Sequence, residues 1–205
     1  MLKSYYAEDK LEVGLDEAGR GTFVGRVYTG AVVWDPEMSS SLVKDSKKLS
    51  KRGREIAYDF IKENAIAYSV DYADVEEIFD LNILHATMKS MHRCIDSLSI
   101  VPDLILVDGT YFPNYCNNGL HIPSVTVTKG DSKYYSIASA SILAKVDHDK
   151  HISTLCDENP ELEKYGLRSN QGYGTKEHIE AIKEHGMSQF HRKGFKIKSL
   201  SSCLV

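Results

Sequence analysis

The stretch Val13-Gly14-Leu15-Asp16-Glu17-Ala18-Gly19-Arg20-Gly21 decides how the chain is read. A short apolar run, a strand over 12–16, delivers two adjacent carboxylates straight into a Gly-Arg-Gly turn. Carboxylate oxygens at a strand end suit a hard divalent cation. A turn almost without side chains lets backbone N–H groups come close to a polar ligand. A second β-branched run over 24–34 follows, so the two are expected to pair as a hairpin across a tight turn at 19–21. Successive strand residues face opposite sides of a sheet. Asp16 and Glu17 therefore cannot both aim inward from a regular strand, and one is expected to act from a bulge or from the turn.

Further along, Ser50 reads as the cap of a helix to about 63, with Ile56, Ala57, Phe60 and Ile61 on one stripe. Residues 65–70 alternate as a third strand. Asp74 can cap a short acidic helix, and a second helix from 82 to about 97 follows, with Ile83, Leu84, Thr87, Met88, Met91 and Ile95 at helical spacing. Leu104-Ile105-Leu106-Val107 is uniformly apolar, as a strand buried on both faces requires, and it stops at Asp108-Gly109. Another β-branched run over 122–128 ends at Lys129-Gly130-Asp131. An Ala- and Ser-rich helix over 134–155 and a helix over 175–185 complete the pattern. The order predicts an α/β fold, a mixed sheet flanked by helices on both faces, with a C-terminal helical extension.

Three apolar runs thus end in acid, and strand ends face the ligand crevice in open α/β sheets. Four carboxylates (Asp16, Glu17, Asp108, Asp131) packed together repel one another unless a cation neutralises them. All-oxygen ligation favours Mg²⁺ or Mn²⁺ over zinc. Two such ions could clamp the attacking water and the leaving oxygen of a phosphodiester displacement. Taken singly, Asp108-Gly109 could equally be an ordinary strand-end turn and Asp131 a helix cap.

With 205 residues, 42% hydrophobic and 26% charged, the composition is that of a globular chain. It is read as one domain over 1–205, with a catalytic core of about 11–155 and an extension of about 156–205 that contributes to substrate binding. No apolar run approaches the roughly 18 residues that a membrane span needs, so no membrane partner is expected. Cys94, Cys116, Cys156 and Cys203 form no Cys-x-x-Cys pair and are read as reduced thiols of an intracellular, cytoplasmic protein. A nuclear location stays open because the basic run over 47–54 resembles an import signal. The net charge of −4 hides blocks: residues 44–54 carry six bases against one acid, Asp45. Such a cluster can hold a phosphate backbone on an acidic protein, or simply be a solvated face.

Seven segments in order resemble the ribonuclease HII family, the type 2 ribonucleases H: GLDEAGRG (14–21), DSKKLS (45–50), LNILHAT (81–87), LILVDG (104–109), KGDSKYYSIASASILAKVDHD (129–149), NQGYGTKEH (170–178) and HRKGF (191–195). The resemblance implies a ribonuclease H-like core and hydrolysis of RNA within RNA/DNA hybrids by two Mg²⁺ or Mn²⁺ ions. It carries the metal-binding acids to Asp16, Glu17, Asp108 and Asp131, with Asp16 bridging both ions. Gly19, Arg20 and Gly21 fall where the family reads the ribose 2′-hydroxyl. Tyr173 falls on the tyrosine that stacks on the neighbouring sugar, allowing a cut 5′ of a single embedded ribonucleotide. Lys47, Lys48 and Arg20 are the phosphate-contact candidates. His178 is either an organiser of the Tyr173 loop or a surface histidine. Thr22 and Arg26 stand where proline is common, and Gln171 where lysine is usual, which bears on loop rigidity and affinity. The expected partner is nucleic acid, the enzyme is expected to be a monomer, and 196–205 shows no sliding-clamp-binding motif.

Overall fold

The computed structural model describes residues 2–117 and 119–195. The reading that 196–205 lacks a clamp-binding motif therefore lies outside the described residues. Five strands form the main sheet: β1 (Glu12–Ala18), β2 (Val27–Val33), β3 (Ala67–Ala73), β4 (Leu104–Asp108) and β7 (Ser124–Val127), in the order β3-β2-β1-β4-β7. β1 is antiparallel to β2, and β2 to β3, whereas β1–β4 and β4–β7 are parallel. The mixed sheet is the one the sequence predicts. Because β1, β4 and β7 run the same way, their C-terminal ends, and every acid that follows them, emerge at one edge.

Helices cover both faces. α1 (Lys51–Asn64) is capped by Ser50, whose Oγ accepts from the Gly53 N–H at 3.1 Å. α2 (Val75–Asp96) starts at Asp74, whose carboxylate accepts from Glu77. It breaks at Asn82 (φ 65°), whose Oδ1 recaps the second half by accepting from Leu84 and His85. The two helices anticipated on either side of Asn82 are therefore present and joined end to end. Met88, Met91 and Ile95 of α2 pack with Leu15, Ala31 and Val107 on one face of the sheet.

α3 (Tyr135–Glu158) crosses the other face almost at backbone contact. A Cβ added at Gly14 would lie 2.3 Å from the Ser136 carbonyl carbon and 2.4 Å from the Ile137 nitrogen, and one at Gly30 would lie 2.5 Å from the Ala140 oxygen. Glycines in adjacent strands and the Ser-Ile-Ala-Ser-Ala-Ser run on α3 are the two halves of one close approach. Beyond α3, α4 (Leu167–Asn170) and α5 (Lys176–His185) pack around Ile152, Leu162 and Tyr165.

Four expectations need correction. The β1–β2 connection is an eight-residue loop, not a tight turn: Ala18 pairs with Tyr28, and Thr22 and Val24 bridge instead to Tyr173 and His191. No bulge separates Asp16 from Glu17, since β1 pairs regularly with β2 through Ala18. The 122–128 run is interrupted at Pro123, which has no N–H to continue a ladder. Residues before it form a hairpin, β5 (Tyr115–Asn117) with β6 (Leu120–Ile122), that periodicity did not reveal. Finally, Ile56 is exposed, and Tyr58 is buried with Ala57 and Ile61 in its place.

Gly14→Ala should destabilise the protein by about 3 kcal/mol or more, because the added methyl meets helix backbone that cannot rotate away. A thermal melt should show the midpoint lowered by about 6–12 °C; an unchanged midpoint would mean that α3 does not sit this close.

Candidate active site

The shared C-terminal edge gathers the predicted acids. Asp16 faces α3, on the same side as Gly14, and is nearly fully buried. Its Oδ1 accepts from the Glu17 N–H at 2.7 Å, and Ser141 of α3 lies beside it. Glu17 points the other way by strand alternation, which raises the question of how it joins the cluster. The β1–β4 ladder ends at Leu15↔Val107, so β1 overhangs its neighbour there. Both carboxylates border Asp108 around that open corner. Regular strand geometry with a short partner does the work expected of a bulge.

Asp108 ends β4, and its Oδ1 accepts from the Gly130 N–H at 2.6 Å. That bond ties it to the 3₁₀ turn Gly130–Ser132, entered through Lys129 in the left-handed region (φ 56°). Asp131 in this turn is buried, with its Oδ2 3.1 Å from Lys47 Nζ. Lys47 arrives from the 3₁₀ turn Ser46–Lys48, capped by Asp45 and anchored to α3 through Ser46 Oγ and Ser141 Oγ at 3.0 Å. Lys48 is exposed, 3.9 Å from Asp45.

The electrostatics are those of an anion-crowded pocket. Burial, reinforced by Glu17 and Asp108, holds the Asp16 carboxyl well above its ordinary range. Burial raises Glu17 as well, with Arg20 opposing at 3.4 Å. Burial and the Asp131 charge raise Asp108 against the Gly130 N–H. The Lys47 ammonium is raised by its bond to Asp131. Among the described residues no three carboxylate, imidazole or thiol groups form a ready-made coordination shell. The donor set nevertheless fits a hard divalent cation: four carboxylates, all oxygen, with repulsion that Lys47 and Arg20 leave uncompensated.

The predicted ribose-reading loop borders this cluster. Gly19 is left-handed (φ 81°), and a Cβ there would lie 2.3 Å from the ring of His148. Gly21 lies against the Tyr173 ring, whose nearest atom would be 4.0 Å from an added Cβ. Tyr173 is 40% exposed, with Lys145 Nζ 5.4 Å from its centroid. Sequence reasoning gave no role to His191 or Arg192, both buried with His148 behind this loop. HRKGF was a matching segment without an assigned part, and single polar residues carry no periodicity that would mark them as buried. His178, left open between loop and surface, is fully buried.

A protein-family model described as Ribonuclease HII matches residues 13–198. A curated relative named Ribonuclease HII from Bacteroides thetaiotaomicron is 42% identical over 197 residues, covering 96% of this chain and 95% of that protein. Another, from Shewanella sp. (strain W3-18-1), is 45% identical over 191 residues, covering 93% and 90%. The crystal structure of ribonuclease H2 from Pyrococcus horikoshii OT3 superposes with a TM-score of 0.73 at 27% identity, over 90% of this chain and 93% of that one. An acid-lined edge on this mixed sheet, with such relatives, defines a metal-dependent nuclease of the ribonuclease H type. The chain belongs to the ribonuclease HII family. It is accordingly a hydrolase that cuts RNA endonucleolytically within RNA/DNA hybrids.

The histidines behind the loop make a pH test available. Burial drives His151 down to about 4, helped by Arg26, His148 and Arg192; Tyr28 also faces it. An unfolded histidine titrates near roughly 6.5. Between those values the unfolded chain holds the extra proton, so this contribution is complete above about pH 6.5 and lost as pH falls toward 4. The raised carboxylates titrate with the opposite sign, so the comparison must be with a variant that shares them. Relative to His151→Gln, the wild type should lose unfolding free energy in urea as pH drops through that window. Parallel curves would show that the ring is not held neutral.

Proposed function

We propose that the protein cuts the RNA strand of RNA/DNA hybrids and also cuts 5′ of single ribonucleotides embedded in duplex DNA, leaving 3′-hydroxyl and 5′-phosphate ends. The observation that carries this reading is the gathering of Asp16, Glu17, Asp108 and Asp131 at one sheet edge, directly beside the Gly19–Gly21 loop and the exposed ring of Tyr173. Two divalent ions, Mg²⁺ or Mn²⁺, would be held by the four carboxylates and would supply water activation and neutralisation of charge on the phosphate.

The chain's own groups set the substrate. The 2′-hydroxyl distinguishes RNA from DNA. Gly19 and Gly21, with no side chains in the way, leave the loop backbone open to that hydroxyl. The Tyr173 ring can stack on the adjoining sugar and so sense where ribose gives way to deoxyribose. Arg20 and Lys48 are exposed cations beside the acidic edge, suited to phosphates. Lys47, equally exposed and bonded to Asp131, can balance charge within the cluster and still meet a phosphate. Core (about 11–155) and extension (about 156–205) act as one domain in this reading, since Tyr173 comes from the extension and the carboxylates from the core. A single chain supplies all of these groups, which supports action as a monomer inside the cell.

Asp108→Asn should lower cleavage by about a thousandfold or more, some 4 kcal/mol of barrier, while hybrid binding persists in a gel-shift assay; EDTA should abolish wild-type cleavage. Substantial turnover by Asp108→Asn would remove the carboxylate from the machinery. Tyr173→Ala should suppress cutting at one embedded ribonucleotide more than cutting of a four-ribonucleotide tract. Equal losses on both duplexes would take the junction-sensing role away from Tyr173.

A further inference from the structure

Behind Tyr173 the wall is buried yet polar, and its hydrogen bonds run in one direction. The Ser188 backbone N–H donates to His191 Nδ1 at 3.0 Å. That nitrogen is therefore an acceptor, and the neutral ring carries its proton on Nε2. At the other end, His178 Nδ1 lies 2.9 Å from the Tyr173 carbonyl oxygen, which can only accept. His178 is therefore protonated at Nδ1 and bears a lone pair on Nε2. The two Nε2 atoms face each other at 3.2 Å. One end of the relay makes a donor, the other end makes an acceptor, and the middle bond needs one of each.

The next residue acts on the other half of the site. Arg192 is 1% exposed. Its Nε donates to the Gly25 carbonyl at 2.8 Å, its Nη1 to the Arg20 carbonyl at 3.2 Å, and its backbone N–H to the Phe23 carbonyl at 2.8 Å. Three carbonyls of the ribose-reading loop are thus gripped by one residue, and Val24 bridges to His191.

We infer that the dipeptide His191-Arg192 is a positioning device that sets the distance between the Tyr173 ring and the Gly-Arg-Gly backbone, and thereby the discrimination of a single ribonucleotide from a tract. His191 acts through His178 on the Tyr173 carbonyl, and Arg192 acts on the loop. Neither residue touches substrate. The inference rests on the proposed stacking role of Tyr173. A knot that served stability alone would slow both substrates alike, whereas misplacement of one contact falls on the substrate that needs both sensors.

The test is a double-mutant cycle on the full chain, comparing wild type, His191→Leu, Tyr173→Ala and the double variant. For each, kcat/KM is measured on a one-ribonucleotide and a four-ribonucleotide duplex. His191→Leu should lose about tenfold more on the single ribonucleotide than on the tract, and this excess should vanish in the Tyr173→Ala background. Equal losses on the two duplexes, or an excess that survives without the Tyr173 ring, would overturn the positioning role while leaving the proposed activity standing. A wild type that does not cut single ribonucleotides would instead bring down the reading of Tyr173 and this inference with it. Should His191→Leu fail to fold, imidazole ¹⁵N shifts of the wild-type protein decide the matter. Protons on His191 Nε2 and His178 Nδ1 at neutral pH are expected, and a charged ring or the opposite tautomers would refute the relay.

Discussion

Everything at the active edge depends on α3 lying against β1 and β2 with no side chain between them. Glycine at Gly14 and Gly30 removes the methyl groups that would hold helix and sheet apart, and small residues on α3 complete the fit. The contact fixes the helix's register as well as its distance. With Ser136 and Ile137 over Gly14, residues further along the helix fall at set places. Ser141 reaches Asp16, Lys145 comes over the Tyr173 ring, and His148 fills the space under Gly19. One helix thereby supports the acid cluster, the aromatic platform and the loop between them. Interiors are packed too densely for such an element to slide by part of a turn.

Placing four carboxylates at that edge works against folding, and the structure shows how the repulsion is contained. Asp108 takes the Gly130 N–H, Asp16 takes the Glu17 N–H, Glu17 meets Arg20, and Asp131 meets Lys47. These partners do not cancel the crowding, since Asp16, Glu17 and Asp108 all remain harder to ionise than free carboxylates. Perturbed groups of this kind cluster at functional sites because function needs the charge and stability does not. The same residual negative potential that strains the pocket is what makes it receptive to hard cations.

Features governed by local chemistry were legible in the sequence. Caps at Ser50 and Asp74, the apolar run ending at Asp108 and the acids at strand ends all follow from short-range rules, and all are where those rules put them. What escaped depends on contacts between distant segments. The Gly19–Gly21 region looks like a tight turn until residues 172 and 190–192 arrive to hold it as a longer loop. Pro123 breaks a run whose β-branched character continues straight through it. Ile56 and Tyr58 exchange places because helix propensity does not say which side α3 approaches. The buried roles of His148, His178, His191 and Arg192 were out of reach for the same reason: polarity predicts exposure unless partners are supplied from elsewhere in the chain.

Thr22 shows how the folded loop changes the meaning of a substitution. Standing where proline is common, it suggests a looser loop. In the structure it is fully buried, its hydroxyl lies 2.9 Å from the Gly19 carbonyl and 3.1 Å from that of Val24, and its N–H donates to the Gly19 carbonyl at 3.3 Å. A proline restricts a loop by limiting the unfolded chain, but it removes a donor. Threonine restricts it by adding bonds in the folded chain. Gly25, before Arg26, is held likewise, through its N–H on the Phe190 carbonyl and its own carbonyl under Arg192. Rigidity in this loop therefore has two sources, the bonds that Thr22 makes within it and the C-terminal segment that grips Phe23 and Gly25 from outside.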